Sequence, residues 1–70
     1  MKFSDRLKEL RASRNLTQKA VYTAIGVAPV VYQRYEYGQT PSFENLLALA
    51  DFFNVSLDYL VGRSDVAERR

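Results

Sequence analysis

The segment that most constrains this chain runs from Leu16 to Glu36. Thr17 is a strong helix N-cap, because its hydroxyl accepts a bond from an early backbone N–H that has no partner inside the helix. Gly26 takes the positive φ that ends a helix, and Pro29 has the fixed φ that suits the first turn of the next. Val21, Ile25, Val27, Tyr32 and Tyr35 fall at helical spacing as an apolar inner surface, while Gln33 and Arg34 stay outside. The pattern predicts two short helices, Thr17 to Ile25 and Pro29 to Tyr37, joined by a tight turn.

The flanking sequence reads as three more helices and no strands. The first is expected from Ser4 or Asp5 to Arg14, with Ser4 as cap and Leu7 and Leu10 inward. Gly38 closes the third helix, and Gln39, Thr40 and Pro41 form a loop. Ser42 caps a fourth helix whose Phe43, Leu46, Leu47, Ala50 and Phe53 repeat at the spacing of one apolar face. Ser56 caps a short fifth helix, Leu57 to about Val61, stopped at Gly62. The expected architecture is an all-α, compact five-helix bundle over residues 1–62. Residues 63–70 read as a charged C-terminal tail that frays.

Composition removes several classes of function. With 70 residues the chain supports one small domain, whose core gives marginal stability, so a partner subunit helps. It holds no cysteine and no histidine, which removes disulfides, thiol nucleophiles, thiolate zinc sites and the usual proton shuttle. No cofactor and no metal are expected, and no apolar run approaches a membrane span. The expectation is a soluble cytoplasmic protein. Charge is uneven: residues 1–40 carry seven basic and three acidic side chains, a balance of +4, while residues 41–70 carry three and five, a balance of −2. The basic half holds the two-helix segment, so a polyanion is drawn to that side.

Two helices joined so tightly, the second with outward amide and guanidinium groups, have the layout of a helix-turn-helix DNA reader. The chain also resembles the phage-repressor and Cro type of helix-turn-helix regulator, the xenobiotic-response-element-like group of bacteria. The resemblance is carried by Arg6 to Arg11, Leu16-Thr17-Gln18, Gly26-Val27, Arg34 to Gly38, Pro41 to Leu46 and Leu49 to Leu60. It implies a lambda-repressor-like DNA-binding domain, encoded by a bacterium or phage, that acts as a repressor.

Arginine grips guanine O6 and N7 with two bonds, and glutamine does the same for adenine N6 and N7, which makes Gln33 and Arg34 base-reading candidates. The resemblance adds Pro29 and Val30 to this outer face. Both are apolar, and Val30 packs on a thymine methyl without donating a hydrogen bond, so shape readout fills in. By the same resemblance Gln18 anchors a DNA phosphate, in keeping with its place at a helix N-terminus. Thr17 beside it belongs to the same phosphate set. Thr40 and Ser42 offer a second phosphate grip, tempered by the like charge of Glu44. Tyr22 stands where the family places alanine. It must splay outward, widen the helix crossing, or bond a phosphate through its hydroxyl, and sequence leaves these open. Arg11 and Glu36 match a structural ion pair between the first and third helices.

Phe52, Tyr59, Leu60 and Val61 are candidates for a homodimer interface, with completion of the core as the other reading. The leading expectation is a homodimeric, sequence-specific regulator that reads the major groove of double-stranded DNA with its third helix. No sensor domain is expected, so regulation is expected to come from protein concentration, a regulatory protein partner or proteolysis. The alternative is a protein–protein interaction module that keeps the fold, docking through Pro29, Val30, Val31 and the tyrosines at 22, 32, 35 and 37. An enzyme has little support, because no nucleophile has a histidine base or metal beside it.

Overall fold

A computed structural model describes residues 1–68, with five helices in the order α1 (Phe3–Ser13), α2 (Gln18–Ile25), α3 (Pro29–Tyr37), α4 (Phe43–Phe53) and α5 (Leu57–Leu60), and no strand among the described residues. Local chemistry sets most boundaries. The Thr17 hydroxyl accepts from the Ala20 N–H at 3.0 Å, and the hydroxyls of Ser42 and Ser56 cap α4 and α5 in the same way. Gly26 ends α2 in the left-handed region at φ 76°, where a side chain is strained. Pro29 occupies the first turn of α3.

Three expectations need correction. Ser4 does not cap α1: the helix begins at Phe3, with Lys2, two residues before Ser4, as a cap that makes no side-chain bond. Phe3 packs against the core, which draws the first turn back over it. On α4, Phe43 and Leu47 are exposed and Leu49 is fully buried. The apolar residues of α4 cover more than half its circumference, and packing selects the strip through Leu46, Leu49, Ala50 and Phe53. Leu60 is also fully buried, in the core with Leu7, Val21, Tyr32 and Phe53, so it is withdrawn from any dimer surface.

Arg6 adds a tie that the sequence did not announce. It is buried, its guanidinium lies 3.7 Å from the centre of the Tyr59 ring, and Nη2 donates to the Ser64 carbonyl at 3.4 Å. Ser56 receives the same segment: its N–H donates to the Ala67 carbonyl at 3.0 Å and its hydroxyl to that of Val66 at 3.3 Å. The segment from Arg63 to Ala67 is therefore hydrogen-bonded back onto the domain. Arg69 and Arg70 of the expected tail lie outside the described residues.

The strongest polar feature joins α1, α2 and α3. Arg11 grips the Glu36 carboxylate with Nε at 2.7 Å and Nη2 at 3.1 Å, the Tyr32 hydroxyl donates to it at 2.6 Å, and Gln18 Nε2 at 3.1 Å. Arg11 Nη1 also donates to the Leu16 carbonyl at 3.1 Å, fixing the chain just before α2. Burial alone would raise the Glu36 pKa, but the bonds from Arg11, Tyr32 and Gln18 outweigh it and hold the carboxyl below its ordinary value. Burial, reinforced by the bond to Glu36, pushes the Tyr32 phenol up.

Two predictions follow from this packing. Phe53→Ala should lower stability by about 3–5 kcal/mol, whereas Phe43→Ala should change it by less than about 0.5 kcal/mol; urea melts compare them. The second concerns the carboxylate. Removing Arg11 strands a charge at Glu36, of whose side chain 6 % is exposed, so Arg11→Ala should destabilise by about 3 kcal/mol. Because folding lowers the Glu36 pKa, the unfolded chain binds the proton first as pH falls. The contribution is thus complete above the unfolded value of 4.5 and is lost as pH falls through the folded one. Thermal melts across that window should show a steeper acid loss in wild type than in Glu36→Gln.

Candidate nucleic-acid interface

The clamp at Glu36 fixes which face of α3 looks outward. Tyr32, Tyr35 and Glu36 are buried, and Tyr35 is pinned to α4 by the Asn45 amide, which donates to its hydroxyl at 2.9 Å. The opposite side carries Pro29, Val30, Gln33 and Arg34, all exposed. At 100° per residue, Val30, Gln33 and Arg34 share one narrow stripe. The head groups of Gln33 and Arg34 make no hydrogen bond to the described residues. Two donors that satisfy nothing among the described residues, on a helix held from behind, suit a partner rich in acceptors.

The same stripe contains a residue that the sequence reading placed only among the aromatics of the docking alternative. Tyr37 stands one further turn along from Val30 and Gln33 and is 91 % exposed. Its signal was the i, i+4 and i+7 spacing, obscured by the buried tyrosines, Tyr32 and Tyr35, that precede it in sequence.

At the start of α2, Gln18 is half-buried and spends one amide hydrogen on Glu36. An amide nitrogen has two, so the second is left for an outside acceptor, with its direction set by the first. Thr17 accepts from Ala20 and Ser42 from Asn45; each hydroxyl keeps its own hydrogen to donate. Thr40 is exposed in the loop between α3 and α4. The free N–H groups opening α2 add positive potential beside Gln18.

Tyr22 is half-buried, its ring 6.3 Å from that of Tyr32 and tilted by 52°. It fills the α2–α3 seam as packing. The expected dimer residues do not form one open patch. Leu60 is interior, the Phe52 ring stacks edge-on with Phe53 at 5.0 Å, and Tyr59 lies under Arg6. Val61 is half-buried at the end of α5. Among the described residues no cluster of three or more acidic, histidine or cysteine side chains could hold a metal, and no helix is long and apolar enough to cross a membrane.

Comparison with known proteins agrees with this geometry. The helix-turn-helix family profile matches residues 7–60. The cryptic phage CTXphi transcriptional repressor RstR of Vibrio cholerae serotype O1 is 39 % identical over 64 residues, covering 90 % of this chain and 57 % of that protein. The HTH-type transcriptional regulator AnsR of Bacillus subtilis is 42 % identical over 60 residues, covering 84 % of this chain and 52 % of its own. The chain thus spans little more than half the length of these relatives. Among solved structures, the P22 c2 repressor protein in complex with synthetic operator 9T superposes with a TM-score of 0.83 at 31 % identity, over 91 % of this chain and 98 % of that one. By sequence and by backbone, the chain belongs to the helix-turn-helix family of phage repressors and transcriptional regulators.

Proposed function

We propose that this chain is a sequence-specific double-stranded DNA-binding module of a transcriptional repressor, acting as a homodimer in the cytoplasm of a bacterial host. The observation that carries the reading is the exposed stripe on α3, two of whose side chains have unspent donors, on a backbone that superposes on an operator-bound repressor. Arg34 and Gln33 read base edges in the major groove. Val30, 53 % exposed, meets an apolar base edge such as a thymine methyl, with Pro29 at the mouth of the groove. Tyr37 lies against the groove wall at the far end of the stripe. Gln18, with Thr17 and the opening N–H groups of α2, holds one phosphate; Thr40 and Ser42 hold another.

Pairing doubles a contact surface that is small in one copy. Two α3 helices about 34 Å apart meet successive major grooves and demand a near-palindromic site. Exposed Val30 and Tyr37 on the same helix favour one other reading, in which α3 docks a protein instead.

Selection of duplexes from a random pool separates the two. A DNA reader returns a near-palindrome and loses affinity steeply with salt, because phosphate binding releases counterions. On the selected site, Arg34→Ala should reduce discrimination at defined positions by about 1–3 kcal/mol, whereas Gln18→Ala should weaken all duplexes alike. Recovery of no consensus, or an Arg34→Ala variant with unchanged preference, would overturn base reading by α3.

A further inference from the structure

Away from α3, the protein carries a groove of mixed apolar and polar lining that the described residues leave open. A cavity of about 400 Å³ lies between α4, α5 and residues 64–68, lined by Leu47, Leu57 and Val66 together with Asp58 and Glu68. Leu47 is 40 % exposed and Val66 48 %, and Phe43, one turn up α4 from Leu47, is 61 % exposed. Large apolar side chains gathered this closely on a small domain mark an interaction surface rather than scattered exposure. The wall is built in place: Ser56 caps α5 and also holds the carbonyls of Val66 and Ala67. No residue of α2 or α3 lines the cavity.

Charge identifies the occupant. Glu44 stands on α4 one turn before Leu47, Asp58 and Glu68 are among the residues that line the cavity, and residues 41–70 carry a balance of −2. A two-fold pair of this chain joined through the groove would set these carboxylates against their own copies, and like charges facing one another oppose association. A segment with apolar anchors flanked by lysine or arginine has the complementary pattern. We propose that this groove docks a basic, amphipathic helical segment of a second protein, leaving the α3 stripe uncovered.

The test uses two synthetic amphipathic helical peptides, identical in their leucine face, one flanked by lysines and the other by glutamates. Each is titrated into isotope-labelled protein without DNA, so failure here is separate from failure of DNA reading. The lysine peptide should shift amides of α4, α5 and residues 64–68 and bind more weakly as salt rises. Leu47→Gln should weaken it by about tenfold, as loss of a central anchor does, and Asp58→Asn with Glu68→Gln should weaken it without altering the helical signal. Equal binding of both peptides, or shifts centred on α2 and α3, would overturn the proposal. So would groove shifts that grow with protein concentration alone, which would make a second copy the occupant.

Discussion

One carboxylate organises the half of the molecule that faces outward with α3. Glu36 takes hydrogen bonds from Arg11 on α1, Gln18 on α2 and Tyr32 on its own helix. Paired charges this deep add little to net stability, because desolvation offsets much of their attraction. What they supply is uniqueness. With four donors converging on two oxygens, a rotation of α3 breaks several charge-assisted bonds at once, whereas an apolar seam would tolerate slippage.

That arrangement links fold to surface. Turning Tyr32, Tyr35 and Glu36 inward obliges Val30, Gln33, Arg34 and Tyr37 to face outward, since both sets repeat on the same helical period. Gln18 belongs to both sides: one amide hydrogen holds the clamp and the other remains at the α2 N-terminus. The domain also separates its surfaces. The basic half presents α2 and α3, and the acidic half builds the groove of α4 and α5.

Local chemistry was legible in the sequence and long-range choice was not. Thr17, Gly26, Pro29, Ser42 and Ser56 act through their own backbone neighbours, so helix order and most boundaries could be read directly. Helix α4 shows the limit: period identifies a helix, but with Phe43, Leu46, Leu47, Leu49, Ala50, Phe52 and Phe53 all apolar it does not identify the buried side. Leu60 was misassigned for a similar reason, since a four-residue helix has too little pattern to set its phase. The resemblance supplied the pairing of Arg11 with Glu36, but Gln18 and Tyr32 joining that site, and Arg6 lying across Tyr59, depend on contacts between distant elements. Sequence order does not encode those geometries.

If α3 reads DNA as proposed, the Glu36 clamp sets the position from which it does so. The most direct measurement is duplex affinity of Glu36→Gln on a selected site, at a temperature where circular dichroism shows the variant fully folded. The side chain keeps its size but loses its charge, and its amide nitrogen meets the donors of Arg11 or Gln18. The account predicts a loss of at least about tenfold, equivalent to about 1.4 kcal/mol, with helicity unchanged. A folded Glu36→Gln variant that binds the same duplex as tightly as wild type would contradict it.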